Sequence, residues 1–338
     1  MIVGAGVVGC YLGKLVGDCE IWELRNRDFD KPCGGLVSKN VKKLDVSFSE
    51  SVANEVRGAR FFSERESFEV EKRSTQAFVL DKQSFHASLV QDAVDNGCRI
   101  TYARPWRGEE DDYIIGADGA NSSVMRACGI KRKYFAAYQI ECELSKRVDD
   151  EFVELHFGDF APGFFGWMIP TSARTARIGL ACADRNSGEL FKVFSKKFLI
   201  KKITKKQAAL IPKYDGKRTV FGNIALVGDA AGQVKASTGG GIVFGCLCAE
   251  ELAKALKAGD LNNYEKGWRQ KYEQDLRTHL LVRRLLDSVN YDKLFRAAKE
   301  KNIGELIEKH GDMEHLSGLK RALLRKPFAL LSLAKAFI

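Results

Sequence analysis

Three residues into the chain stands Gly4-Ala-Gly6-Val-Val-Gly9. This G-x-G-x-x-G pattern requires a strand before it and a helix after it. The first glycine makes a tight turn, the second lets backbone approach a pyrophosphate, and the third lets the helix pack closely on the strand. A helix from about Val7 to Val16 then aims its free amides and positive dipole end at the phosphates. The next apolar run, CEIWEL, carries Glu23 near its end, placed to accept hydrogen bonds from a ribose. These features predict an α/β domain with a dinucleotide site. The alternative is a glycine-rich strand–helix turn with no ligand. The first strand is short, because only Met1, Ile2 and Val3 precede Gly4.

Two later stretches repeat the strand–turn–helix theme. In GADGANSSV, residues 116–124, Asp118 ends an apolar run and Ser122-Ser123 opens a helix. Taken alone, it is an aspartate N-cap on a strand–helix turn. In NIALVGDAAGQVKASTGGGIVFG, residues 223–245, an apolar run stops at Gly228-Asp229, and Gly239, Gly240 and Gly241 precede a second helix. Between these pieces the apolar residues alternate as in antiparallel strands. The expected division is a discontinuous nucleotide-binding domain (1–56, 77–130 and 220–258), a β-rich substrate domain (57–76 and 131–219) and a helical C-terminal region (259–338). Ligands of such folds bind outside the carboxyl ends of the strands, so the three turns are expected to meet in one cleft. Residues 82–95 carry apolar residues at Phe85, Leu89 and Ala93 with a stop at Asn96-Gly97, the pattern of a capped helix. The lysine-rich stretch 189–209 is also expected to be helical, with the basic run FSKKFLIKKITKK as its solvated face.

The net charge of +10 favours anionic partners such as phospholipid surfaces or phosphorylated substrates. No nucleic-acid motif accompanies the charge, so nucleic acid is not an expected partner. Nine cysteines without a C-x-x-C pair indicate reduced thiols in a cytoplasmic protein, and argue against a disulfide framework or zinc site. The five histidines show no metal-ligand spacing. No apolar run reaches the ~20 residues that span a bilayer, and the N-terminus reads as a strand rather than a signal peptide. The stretch 319–338, LKRALLRKPFALLSLAKAFI, contains no acidic residue. It is expected either to lie on a membrane surface, apolar face down, or to dock on its own protein.

The order Gly4-x-Gly6-x-x-Gly9, Gly116-Ala117-Asp118-Gly119, Gly228-Asp229 resembles the FAD-dependent oxidoreductases of the aromatic-hydroxylase type. PGFFGWMIP, residues 162–170, is similar to the Y-x-W-x-F-P signature of geranylgeranyl reductases, here Phe165-x-Trp167-x-Ile169-Pro170. KPCGGLVS, residues 31–38, resembles that family's Cys-Gly-Gly segment, and the likeness spans essentially the whole chain.

The resemblance implies a Rossmann-like FAD-binding domain with an inserted antiparallel sheet and a helical C-terminal region. It implies FAD contacts from Gly4, Gly6, Gly9, Glu23, Cys33, Gly34, Lys82, Asp229, Gly241 and Ile242. Asp229 would bind flavin hydroxyls, and the amides at Gly241-Ile242 would stabilise negative charge on the reduced ring. Phe165, Trp167 and Pro170 would wall a tunnel for a long apolar chain, on a sheet face shared with Phe164 and Met168. Phe165 replaces the signature tyrosine, and Lys82 stands where the family has arginine. The implied activity is saturation of isolated C=C bonds in isoprenoid chains of archaeal-type ether phospholipids. The electron donor is not identified, and no second dinucleotide motif provides for a bound NADPH. No catalytic side chain is assigned; Cys33 and water are candidate proton donors. Two alternatives stand beside this one: a flavin-dependent monooxygenase or halogenase of the same fold, whose W-x-W-x-I-P is close to FGWMIP, and a non-catalytic lipid-binding flavoprotein.

Overall fold

The computed structural model describes residues 1–27, 31–183 and 186–326. Among these residues the strands form three sheets. The first has the order β15 (Val220–Phe221), β16 (Ile224–Leu226), β9 (Ile114–Gly116), β1 (Ile2–Val3), β2 (Glu20–Trp22), β8 (Arg99–Thr101). All its pairings are parallel except β15–β16. Helix α1 (Val7–Val16) packs against α2 (Lys82–Asp95) and α5 (Ile242–Lys257). Their apolar stripes share one core with Ile2, Ile21, Ile115 and Ala225. The limits of α1 are those expected, and α2 ends on Asn96 as its C-cap.

The second sheet runs β14 (Ile200–Pro212), β10 (Tyr134–Leu144), β13 (Thr175–Cys182), β12 (Gly166–Ser172), β11 (Phe152–His156), β5 (Gly58–Phe62), β6 (Ser67–Glu71). Its two faces differ because side chains alternate along each strand. One face gathers Phe135, Phe165, Trp167, Ile169 and Ala181. The other gathers Ile140, Met168, Ile178 and Leu180 under α4 (Ser187–Phe194). A small third sheet, β3 (Leu36–Ser38), β7 (Ala77–Leu80), β4 (Val52–Val56), joins the two. The short α3 (Ser123–Ala127) follows β9.

One expectation fails clearly. Residues 189–209 are not one helix: α4 ends at Phe194, and 200–212 is the long edge strand β14, antiparallel to β10. The lysines that suggested a helix face serve instead on an open sheet edge. There a charge opposes pairing with a further strand. Register shifts at Glu141/Cys142 and Glu143/Leu144 broke the period-2 pattern that would have marked the strand.

The C-terminal region is helical: α6 (Asn262–Trp268), a π-turn at Arg269–Glu273, α7 (Gln274–Asp287), α8 (Tyr291–Glu300), α9 (Ile303–His310) and α10 (Ser317–Leu324). Leu286, Tyr291, Leu294, Phe295 and Met313 cover the aromatic face of the second sheet. The expected surface helix at 319–338 lies mostly outside the described residues, since description stops at residue 326. Among the described residues no helix is long and apolar enough to cross a membrane.

A buried polar network ties this region to the rest. The Lys235 ammonium lies 2.6 Å from Glu314, at 6 % and 1 % side-chain exposure. Glu314 also accepts from the Ser38 hydroxyl and the Asn40 amide. His279 donates from Nε2 to the Glu314 carbonyl at 3.0 Å, which leaves Nδ1 to accept from Ser237 at 2.6 Å. Burial, reinforced by Lys235, pushes His279 down to about 4. Its folded value thus lies below the unfolded one, and the unfolded chain binds the extra proton between these values. Stability should fall by about 3 kcal/mol as pH drops from 6.5 to 4. Denaturant melts of wild type and His279→Gln across that range should differ by this slope. His315, raised by its contact with Asp275, acts in the opposite sense in both proteins.

Candidate active site

Strands β16, β9 and β1 are parallel neighbours, so the turns at their carboxyl ends lie side by side. Gly4 has φ +107°, and a Cβ on it would meet the Ala117 carbonyl oxygen at 2.5 Å. A Cβ on Gly9 would sit 1.9 Å from the Gly4 oxygen, so no side chain fits there. Gly6 differs, because a Cβ there meets nothing within 4 Å. Gly4 and Gly9 are thus glycine for the chain's own packing, whereas Gly6 leaves open space beside the start of α1.

Glu23 is held by the turn. Its two carboxylate oxygens accept from the amides of Ala5 at 2.9 Å and Arg25 at 3.0 Å. His86, on α2, donates to the Ala5 carbonyl at 2.5 Å. That contact brings α2 and its first residue Lys82 towards the same turn, and the Lys82 charge is felt at both His86 and Cys10. Asp118 turns inward: Oδ2 accepts from the amide and hydroxyl of Ser123 at 2.6 and 2.7 Å. It holds the start of α3 without being its N-cap, which is Ser122, whose hydroxyl accepts from the Met125 amide.

Asp229 occupies the 3-10 turn Gly228–Ala231. Its carboxylate faces the ammonium of Lys31 at 3.2 Å, and this pairing raises the lysine's pKa. A Cβ on Gly241 would lie 2.9 Å from the other Asp229 oxygen, so carboxylate and helix start are adjacent. Gly241 is the N-cap of α5 and Ile242 its first residue. No side chain caps this end, and its first turn holds no acidic residue. Free amides at the positive end of a sixteen-residue helix form a ready site for negative charge.

The Cys-Gly-Gly segment enters from the opposite side. The Cys33 carbonyl accepts from Gln139 Nε2 at 3.2 Å, and Cys33 Sγ accepts from the Gly35 amide at 3.4 Å. Arg177 donates to the carbonyls of Gly34 and Leu80 at 3.1 and 2.9 Å. Gln139 also donates to Gln207 and accepts from the Trp167 indole N–H at 3.0 Å. This geometry follows from register: Gln207, Gln139, Gly179 and Trp167 form one row across β14, β10, β13 and β12. A Cβ on Gly179 would meet the indole at 2.6 Å, so the missing side chain lets Trp167 lie across the row.

The structure thus places Gly4, Gly6, Gly9, Glu23, Asp229, Gly241 and Ile242 at the strand ends, and Cys33 and Gly34 against the row carrying Trp167. Phe165 and Trp167 share the aromatic face. Met168, expected with them, points to the opposite core, and Pro170 has the parity of Met168; its carbonyl accepts from Asn54. Sequence reasoning missed Lys31, Gln139, Gln207 and Arg177. Gln139 had a visible signal, being a polar residue at an inward position of an apolar strand. Among the described residues no group of three or more His, Cys, Asp or Glu side chains is placed to hold a metal ion.

No family model matches the chain. It is 26% identical to an uncharacterized protein of Methanocaldococcus jannaschii, across 96% of this chain and 94% of the relative. It is 26% identical to a digeranylgeranylglycerophospholipid reductase of the same organism, across 83% and 82%. A Methanothrix thermoacetophila protein of that name is 27% identical across 96% and 95%. The chain is thus similar to digeranylgeranylglycerophospholipid reductases over most of its length. A geranylgeranyl bacteriochlorophyll reductase-like protein of Thermoplasma acidophilum has the same fold, with a TM-score of 0.84, 19% identity and coverage of 99% and 98%. The flavin-dependent halogenase CmlS shares the architecture at a TM-score of 0.65 and 17% identity, over 98% of this chain and 77% of its own.

The two aspartates should separate experimentally. Asp118→Ala should lower stability by about 0.5–2 kcal/mol, the usual loss for a helix-start acceptor, with FAD affinity unchanged. Asp229→Ala should weaken FAD binding about tenfold or more, since a charge-assisted bond contributes about 1.5–3 kcal/mol. Denaturation melts and flavin-fluorescence titrations measure the two effects.

Proposed function

We propose that the protein is an FAD-dependent reductase that saturates isolated C=C bonds of isoprenoid chains carried by phospholipids. The observation that carries this reading is the meeting of the strand-end cleft with the aromatic face through the Cys33–Gln139–Trp167 contacts. The reductases named above are similar over most of the chain.

The residues fit FAD. Gly6 leaves room for a pyrophosphate beside the amides of α1, and Glu23 can accept from a ribose in addition to its two amide bonds. Asp229 suits the flavin's hydroxyl chain. The uncapped start of α5, next to Asp229, suits the pyrimidine edge, where negative charge gathers on reduction. When bound and reduced, FAD supplies the hydride for one alkene carbon.

The chain's own residues then position the alkene and exclude water. An isolated alkene is a poor hydride acceptor, so it must be held within about 3–3.5 Å of the donor in a dry site. Phe165 and Trp167, both buried, supply the dry wall. Gln139 fixes the indole plane and holds the Cys33 carbonyl on the other side. The other alkene carbon needs a proton, and the half-buried Cys33 thiol stands on the segment that Gln139 links to Trp167.

A lipid substrate tens of carbons long leaves a bilayer at about 0.8 kcal/mol per exposed CH₂, so contact with a membrane surface belongs to the same proposal. The described surface exposes apolar side chains from α4 to the start of β14. Val193, Leu199 and Ile203 are 61%, 58% and 44% exposed. Seven lysines, from Lys192 to Lys206, lie in the same stretch of chain. Exposed apolar side chains interspersed with lysines suit an anionic lipid interface.

The reductase reading is tested by incubating the dithionite-reduced protein anaerobically with an unsaturated isoprenoid phospholipid. Mass spectrometry should show two hydrogens added per bond. Trp167→Ala should slow this reaction tenfold or more with FAD still bound. Oxygen-dependent hydroxylation, or halogenation, without saturation would favour the monooxygenase alternative instead. Replacing Lys201, Lys202, Lys205 and Lys206 with Gln should reduce co-sedimentation with anionic vesicles at least tenfold, and raised salt should act in the same direction.

A further inference from the structure

Arg283 on α7 is 2% exposed. Its Nε donates to Asp287 at 2.9 Å, while both terminal nitrogens are buried without a hydrogen-bond partner. The guanidinium carbon lies 5.4 Å from the centre of the Phe164 ring. Phe164 and Phe135 are 4.7 Å apart, and the Lys213 ammonium lies 3.8 Å from the centre of Phe135. Two cations therefore share one aromatic pair. Burial lowers the pKa of Lys213, and Lys133 and Arg283 lower it further against the attraction of Asp287. The pair also adjoins the cleft, because a Cβ on Gly239 would touch the Phe164 ring at 3.4 Å.

A buried guanidinium with both terminal NH2 groups open is costly unless an acceptor meets it. Asp287 satisfies only one edge, and its carboxylate is partly exposed. Arg132 and Arg177 also keep unpartnered nitrogens, but Arg283 differs in sharing its aromatic neighbours with a second cation. The planar fork of an arginine matches two oxygens of a phosphate, and a lysine adds a point charge.

We infer that Arg283 and Lys213 recognise the phosphate or diphosphate group of an isoprenoid substrate, at the end of the aromatic wall that adjoins the glycine loop. This inference rests on the reductase reading for its substrate class, and it adds that the chain discriminates phosphorylated isoprenoids from neutral ones. The group has two sources, the phosphate of a lipid headgroup or a free diphosphate ester. Both present the same oxygens to the fork.

The test is a binding titration of the FAD-loaded full chain by tryptophan fluorescence. Geranylgeranyl diphosphate, digeranylgeranylglyceryl phosphate, geranylgeraniol and inorganic pyrophosphate are compared. Wild type should bind at least one of the phosphorylated isoprenoids at least tenfold more tightly than geranylgeraniol. Arg283→Gln and Lys213→Gln should each cut that preference tenfold or more, and leave the affinity for geranylgeraniol within twofold. If Arg283→Gln fails to fold, the half-exposed Lys213 position carries the comparison. Preference for the glyceryl phosphate identifies the headgroup as the source, and preference for the diphosphate identifies the free ester. Pyrophosphate binding that depends on Arg283 supports the site without its chain. Equal affinity of wild type for the alcohol and the phosphorylated compounds overturns the inference. So does an undiminished preference in folded variants with normal FAD content. Because binding is read without turnover, an Arg283-dependent preference in a protein that reduces no alkene would sink the reductase reading and leave this site standing.

Discussion

The contact between Gly9 and the Gly4 carbonyl sets the geometry of the cleft. With only 1.9 Å available to a Cβ, α1 lies directly on the turn that ends β1. That close packing aims the start of α1 along the carboxyl edge of the sheet. It also brings Val8 against Gly228 and Gly245, where added Cβ atoms would lie 3.1 and 2.6 Å from it. The first and last parts of the nucleotide-binding architecture are therefore locked together through one helix. Asp229 and the start of α5 are positioned as a consequence, although they lie more than two hundred residues away in sequence.

The second constraint is a row of side chains across four strands. Gly179 removes a side chain, Trp167 fills the space, and Gln139 receives the indole N–H while binding the Cys33 carbonyl. A buried amide with its partners satisfied orients its neighbours more sharply than apolar contact can. The row joins the aromatic wall to the Cys-Gly-Gly segment. The C-terminal helices then close the aromatic face, held by the buried Lys235–Glu314 pair. That pair reaches the glycine loop directly, because the Lys235 amide and carbonyl bond Gly240 and Gly239.

The nucleotide-binding half was legible because its constraints are local. Gly4, Gly6 and Gly9 fall within six residues, and α1 and α2 announce themselves by apolar spacing and end signals. The β14 segment was misread because lysines and apolar residues at 194–206 mimic a helix face. Bulges opposite Glu141 and Glu143 hide the alternation that would have marked a strand. Met168 was grouped with Trp167 although adjacent strand residues point to opposite faces, a rule the sequence already contained.

By itself the sequence determined the three strand–turn–helix units, their order and the aromatic segment, since backbone turns and periodicity are encoded over a few residues. Only the tertiary structure decided which polar groups meet. It set Glu23 against the Ala5 amide and Lys31 against Asp229. It placed Gln139 between Trp167 and Cys33, and Arg283 beside Lys213 on one aromatic pair. Those contacts depend on strand register and helix docking across more than a hundred residues in several cases, and no local pattern carries that information.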